Sequence, residues 1–227
     1  MGNSIKRTSR AKTAGQAVYE NLRNSILDGT LEPGSKLGQD RIASQLGVSR
    51  MPVREALSRL EAEGLIVFET YRGAFVAPLT LSEVEQIYLM RLALEPLLAR
   101  LGAQQLQEEQ MGQLESANHG LARALRAGDA GSMFEHVRSF HEVLYAAADK
   151  PLVLSQVLSL RDLAERYVRR YLALPGRLEH VVDNHQELLQ AARNHEAGQV
   201  EQLIQEELQV TRDALLASWT VSINHGE

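Results

Sequence analysis

Residues 38–77 read GQDRIASQLGVSRMPVREALSRLEAEGLIVFETYRGAFVA. Two short helical patterns meet at Gly47: one over Asp40–Leu46, the other beginning after Ser49. Val53, Ala56, Leu57 and Leu60 recur at helical spacing and give the second helix one apolar face. Ser49 stands where a hydroxyl caps a helix start. Pro52 falls in the first turn, where a missing N–H breaks no helical bond. Gly64 ends the pattern, and the runs Leu65–Phe68 and Ala74–Ala77 read as a small hairpin with Tyr71-Arg72-Gly73 at its tip. Helix, tight turn, helix and hairpin in that order predict a winged helix-turn-helix, a fold that reads duplex DNA.

Working outward, a helix is expected over residues 14–28, with Val18, Leu22, Ile26 and Leu27 on one face, stopped by Gly29 and followed by a turn at EPGS, 32–35. Residues 1–13 are polar and basic and read as a disordered arm whose Lys6, Arg7, Arg10 and Lys12 add phosphate attraction. The DNA-reading domain is therefore expected over 14–78. The charge distribution agrees. The chain carries −5 overall, but residues 1–78 hold 11 Lys+Arg against 8 Asp+Glu, a net of +3, and the rest hold 13 against 21, a net of −8. A basic module joined to an acidic one suits DNA binding coupled to a separate ligand domain.

Pro78 marks the expected boundary, and residues 79–222 are expected to form an effector-binding and dimerisation domain. Thr80 and Glu83 have the spacing of a capping box. From there the periodicity is helical throughout, over about 81–106, 108–127, 130–149, 151–173, 177–196 and 198–219, with breaks at Gly128-Asp129, Asp149-Lys150-Pro151, Pro175-Gly176 and Gly198. The fold class is mainly α: a winged helix-turn-helix with a small hairpin wing, followed by an all-α antiparallel bundle. The chain has no cysteine, which removes disulfides and thiolate metal sites. It has no signal-like leader and no apolar run near the roughly 20 residues that span a bilayer, so a cytoplasmic protein without a membrane partner is expected.

The second helix of a helix-turn-helix lies in the major groove and meets base edges with its first residues. Here these are Ser49, Arg50, Met51, Pro52 and Arg54. Arginine suits guanine because its fork matches O6 and N7 together. Arg50 and Arg54, four apart, share a face; Arg41 opens the preceding helix; Arg72 at the wing tip is suited to the adjacent minor groove or a phosphate. The competing reading is a solvated arginine face paired with Glu55 and Glu61.

The string PGSKL…IASQLGVSRMPVREALSRLEAEGLI…RGAFVAPL, about 65 residues, resembles the N-terminal domain of the GntR family of bacterial transcription regulators. The resemblance implies DNA contact at Arg41, Ser49, Arg50, Met51, Pro52, Arg54 and the wing residues Thr70, Tyr71, Arg72 and Gly73; Met51 stands where the family often has threonine. Downstream, MRLALEPLLARLGA, SFHEVLYAAADKPLV and NHQELLQAARNHEAGQVEQLIQEEL follow in an order similar to the FCD effector domain of the FadR subfamily.

Four polar residues interrupt the apolar stripes of that bundle. Arg91 lies among Val84, Ile87, Tyr88, Leu94, Leu98 and Leu101; His141 joins Val137, Phe140, Leu144 and Tyr145; His185 lies between Val181 and Leu188; Glu207 lies among Val200, Leu203, Ile204 and Leu208. Buried charge is costly unless paired or coordinated. His141, His185 and Glu207 from three helices would suit one divalent ion of the zinc, nickel or manganese class, and Arg91 would hold a ligand carboxylate. Against this, Arg91 pairs equally well with Glu95 one turn on, and a histidine on an apolar face is commonly a core residue. The family's metal-binding members place an aspartate four residues before the first histidine, which is Val137 here, and a histidine where Glu207 stands; His136 is one residue out of phase, and Asp183 and Asn184 are outside candidates for the set. A metal-free pocket, with Glu207 neutralising a protonated histidine, remains the alternative.

The expected function is a homodimeric regulator, a repressor rather than an activator, that binds a palindromic operator and responds to a small carboxylate. The rival is a helical metalloenzyme acting on a small organic acid with an appended DNA-binding-like module. No Gly-rich phosphate loop, GxSxG or HExxH motif supports other chemistry, and no organic cofactor is implied.

Overall fold

The computed structural model describes residues 13–172 and 178–223. The expected basic arm, apart from Thr13, and the expected break at Pro175-Gly176 lie outside the described residues. The chain divides into two compact units, one up to Leu79 and one from Thr80 onward.

The first unit contains α1 (Ala14–Leu27), β1 (Lys36–Leu37), α2 (Gln39–Leu46), α3 (Arg50–Ala62), β2 (Ile66–Glu69) and β3 (Gly73–Val76). Thr13, expected within the arm, instead caps α1 by accepting from the Gln16 N–H. Val18, Leu22, Ile26 and Leu27 of α1 are buried, and so are Val53, Ala56, Leu57 and Leu60 of α3. The two helices pack face to face as this unit's core. Gly47 ends α2 in the left-handed conformation (φ 65°), which costs a residue without Cβ little and turns the chain into α3.

The wing has one strand more than expected. β3 pairs with β2 (Ile66↔Val76) and, on its other edge, with the two-residue β1 (Lys36↔Phe75), giving the order β1-β3-β2. The tip includes Tyr71 at φ 63°, fully exposed, and Gly73 at φ 99°.

The second unit is helical throughout its described residues: α4 (Leu81–Ala103), α5 (Glu108–Ala127), α6 (Ala130–Ala146), α7 (Pro151–Leu172), α8 (Leu178–Arg193) and α9 (Ala197–Ile223). α4 packs on α9, α7 and α6, and α5 packs on α6 and α8. α4 and α6 are each three residues shorter than expected. The residues after Ala146 are apolar enough to extend a helix, but Asp149 takes φ 51° and Pro151 opens α7. No described helix is long and apolar enough to cross a membrane.

The start of α4 departs from a simple capping box. Thr80 Oγ1 accepts from the Glu83 N–H as expected. The Glu83 carboxylate does not return to the Thr80 N–H: it accepts from the Tyr167 hydroxyl and pairs with Arg166 at 3.4 Å, while the Thr80 N–H donates to Tyr167 Oη at 3.1 Å. A hydroxyl from α7 closes the cap instead.

Candidate functional site

The sequence singles out two surfaces, one in each unit. In the first, Ser49 has extended backbone at the head of α3, but its hydroxyl makes no capping bond, contrary to expectation. Ser49, Arg50, Met51 and Arg54 are all exposed, Met51 at 65%. Pro52 is half-buried in the first turn. The pairing with Glu55 or Glu61 that the competing reading requires is absent from the described contacts; Arg50 Nε meets Asp40 Oδ1 of α2 at 2.6 Å. Both partners are more than two-thirds exposed, so the pair is weakly held and open to exchange. Arg41 Nη2 donates to the Lys36 carbonyl at 3.2 Å. On the wing, Thr70, Tyr71, Arg72 and Gly73 are exposed, Arg72 pairs with Glu69, and its guanidinium lies 5.1 Å from the Phe75 ring centre. An exposed hydroxyl, an exchangeable arginine and a second arginine on one helix end form a surface suited to phosphates and base edges.

In the second unit His141 of α6 and His185 of α8 are buried, Glu207 of α9 is about a quarter exposed, and one ligand atom from each lies within 4.8 Å of the others. Helical carbonyls one turn back set both rings: His141 Nδ1 lies 2.8 Å from Val137 O and His185 Nδ1 2.9 Å from Val181 O. Each ring therefore keeps Nε2 for other partners. His141 Nε2 lies 3.5 Å from Glu207 Oε2, which also accepts from Asn184 Nδ2 at 2.9 Å. His185 Nε2 is buried without a partner. Burial pushes the His185 imidazole down to about 4 and keeps it neutral. Burial alone would raise the Glu207 carboxyl, yet His141, and then His185, hold it well below the ordinary carboxylate range.

Arg91 is buried on α4 and takes the alternative partner: Nε donates to Glu95 Oε1 at 2.5 Å and Nη2 to Glu95 Oε2 at 3.4 Å. Glu95, fully buried, also accepts from Tyr145 (2.8 Å) and from Arg161 Nη1 (2.9 Å). Burial opposes its charge, but Arg91 and Arg161 hold its pKa down to about 2. The partnership of Arg161 and Tyr145 with a buried Glu95 escaped sequence reasoning, because this network joins α4, α6 and α7 across long sequence separations.

A cavity of about 630 Å³ opens beside both groups, with Tyr88, Arg91, Arg161, Asn184 and Glu207 in its wall. Val137, at the position of the family's aspartate, packs on the apolar cluster of Leu121, Ala124 and Met133. His136 lies against α5, so close to Gly120 that a Cβ there would fall 2.3 Å from its ring. Asp183 lines the cavity but is exposed and is not in the histidine–glutamate group.

A winged helix-turn-helix followed by a helical unit with a cavity that carries arginines and carboxylates has the architecture of a transcription regulator. The comparisons with known proteins agree. Residues 14–76 match the model for bacterial regulatory proteins of the gntR family, and residues 86–210 match the FCD domain. The chain is 30% identical over 193 residues to the gluconate operon transcriptional repressor of Bacillus licheniformis, covering 82% of this chain and 77% of that protein. It is 29% identical over 196 residues to the HTH-type transcriptional repressor RspR of Escherichia coli K12, covering 86% and 85%. Among solved structures, Escherichia coli McbR/YncC aligns with TM-score 0.82 at 22% identity, over 92% of this chain and 99% of that one. The chain belongs to the GntR family of bacterial transcription regulators and carries an FCD domain. It is a DNA-binding regulator, and the metalloenzyme reading finds no support among these relatives.

Proposed function

We propose that the protein is a cytoplasmic, homodimeric repressor in which residues 14–78 grip a palindromic operator and residues 79–222 dimerise and bind a small carboxylate effector. The relatives named as repressors support the sign of regulation. A two-fold dimer would set two copies of α3 in major grooves one helical turn apart, with Arg41, Ser49, Arg50, Met51, Pro52 and Arg54 toward the groove and Thr70 to Gly73 toward the flanking backbone.

The observation that carries the effector reading is the cavity beside the Arg91 and Arg161 guanidiniums and Glu207. The donor set also fits a divalent ion: two imidazoles with Nδ1 engaged and Nε2 available, one of them unpartnered, and a carboxylate held ionised. His141, His185 and Glu207 would hold such an ion, of the zinc, nickel or manganese class. When bound it would offer an open position for a ligand oxygen. Arg91 and Arg161 would counter the ligand's charge, and Asn184 would orient Glu207. To shift the operator equilibrium, the effector must bind the DNA-competent and released states unequally.

Fluorescence anisotropy with duplex DNA across a salt series tests this reading. Arg50→Ala and Arg54→Ala should each weaken binding and lower the log–log salt slope by about 0.9 for every phosphate that the side chain neutralises. An Arg50→Ala protein that binds with unchanged affinity and slope would remove α3 as the reading element. An operator complex that no small carboxylate dissolves, with or without zinc, would remove the effector assignment.

A further inference from the structure

Arg91 and Arg161 both face the cavity, but Glu95 engages them unequally. Arg91 gives it two donors, Nε and Nη2, and its side chain is only 7% exposed. Arg161 gives it one, Nη1. A guanidinium carries five N–H donors, so the Nε and Nη2 edge of Arg161 has no partner among the described residues. Glu95 already accepts from Arg91, Arg161 and Tyr145, so it has little acceptor capacity left for the remaining Arg161 donors. Glu207 is turned toward His141 and Asn184.

Tyr88 adds a second, independent sign. It is 1% exposed, lines the same cavity, and its hydroxyl is buried with no hydrogen-bond partner. Native proteins seldom leave a buried hydroxyl unpaired, and a ligand group is one explanation when they do. The Arg91 guanidinium stacks 4.8 Å from the Tyr88 ring centre, which sets both side chains along one wall. The charge pattern limits the guest. Farther out, Asp183, Glu187 and Glu206 line the cavity and are exposed. Inside, Glu95 and Glu207 match the two guanidiniums in charge, so with carboxylates farther out a ligand bringing one negative charge meets less repulsion than one bringing two or three.

We propose that Arg161 and Tyr88 are the effector's carboxylate anchors and that the effector is a small monocarboxylate. The Arg161 Nε/Nη2 edge takes one carboxylate oxygen and the Tyr88 hydroxyl donates to the other. Arg91 is a positioning residue that holds Glu95 in place. This inference rests on the cavity being the effector pocket.

The test is calorimetry and thermal shift on the full chain with lactate, glycerate and gluconate, and with malate, tartrate and citrate as polyanionic counterparts. At least one monocarboxylate should bind saturably, and the polyanions at least tenfold more weakly. Arg161→Met should weaken the monocarboxylate roughly tenfold to hundredfold, as expected for a charge-assisted bond. Tyr88→Phe should weaken it roughly threefold to tenfold and leave the ligand-free melting temperature equal or higher, since the hydroxyl has no partner to lose. Tyr88→Phe keeps the inference falsifiable even where Arg161→Met fails to fold. Unchanged affinity in Tyr88→Phe and Arg161→Met, or polyanions binding more tightly than monocarboxylates, overturns the anchors while leaving the pocket standing. If no acid of either class binds, the carboxylate pocket falls and this assignment falls with it.

Discussion

The Tyr167 hydroxyl of α7 donates to the Glu83 carboxylate and accepts the Thr80 N–H, so one side chain from another helix completes the first turn of α4. Its ring also packs 5.9 Å from that of Trp219 on α9. Tyr167→Phe keeps the ring and deletes the two bonds. Glu83 retains Arg166 and is 29% exposed, so water compensates in part. The expected loss is about 1–2 kcal/mol rather than the full penalty of an orphaned buried group, near 2–4 °C in Tm per kcal/mol at this size. Thr80 directly follows the DNA-binding unit, so the same variant should also shrink the ratio of operator Kd with and without effector. Unchanged melting and an unchanged ratio would show that the cap has neither role.

A pH effect is expected in the first unit. Tyr19 of α1 donates to both Glu63 oxygens at 2.8 Å, and burial, then this hydrogen bond, push its pKa up from 10.0 to about 12. The folded state therefore holds this proton more tightly than the unfolded chain. Its contribution to stability is complete below pH 10 and disappears as pH rises toward 12. Denaturant titrations between those values should show stability falling in the wild type and a shallower fall in Tyr19→Phe. Parallel slopes would mean that the Tyr19–Glu63 contact does not outlast water's competition.

Gly102 of α4 marks the closest approach of two helices. A Cβ placed there would lie 1.9 Å from the Leu144 carbonyl oxygen of α6, a backbone atom that cannot rotate aside. Alanine ordinarily gains about 1 kcal/mol over glycine inside a helix. Forced separation of packed helices typically costs about 1–3 kcal/mol, sometimes more, so steric cost should win and Gly102→Ala should lower Tm. The α4–α6 contact also spaces Glu95 from Tyr145, so effector affinity should fall too. A neutral or stabilising Gly102→Ala would contradict this packing.

The elements with regular patterns were legible in the sequence and those made by distant partners were not. The α3 face of Val53, Ala56, Leu57 and Leu60 follows from spacing alone, and all four are buried. Gly47 declared its turn because a left-handed residue there suits glycine. β1 was invisible: Lys36 and Leu37 are too few to show alternation, and only pairing with Phe75 and Ala74 makes them a strand. Ser49 looked like a cap by residue type, but its hydroxyl makes no capping bond. In the bundle, inward polar residues on apolar stripes revealed His141, His185 and Glu207. Arg161 shares a face with Val157 and Ala164 of α7, but its role emerges only where α7 meets Glu95, a residue far away in sequence. Tyr88 read as core because a tyrosine on an apolar face usually is; its unpaired hydroxyl can be seen only in three dimensions.

The two readings of the histidine group predict different effects for one substitution. His185 is fully buried and neutral, its Nε2 is unpaired, and its ring packs edge-on against Phe140 at 5.1 Å. Phenylalanine is similar in shape, keeps the aromatic contact and removes an unsatisfied nitrogen. It gives up the Nδ1 contact to Val181 O, worth about 1 kcal/mol net. In metal-free protein these effects nearly cancel, and His185→Phe should melt within a few degrees of wild type. With a divalent ion the balance changes, because an ion that binds only the folded state adds about 4 kcal/mol at a thousandfold excess over Kd. Wild type titrated with zinc, nickel or manganese, each ion in turn after chelation, should rise in Tm by several degrees and fall back with chelator, while His185→Phe and His141→Ala should stay flat. Glu207→Gln should keep a reduced response, since an amide oxygen is a weaker ligand than a carboxylate. If wild type responds to none of these ions and His185→Phe melts within a few degrees of it throughout, the group is a metal-free core with Glu207 as the counter-charge of His141. Effector affinity should then be unchanged by chelator.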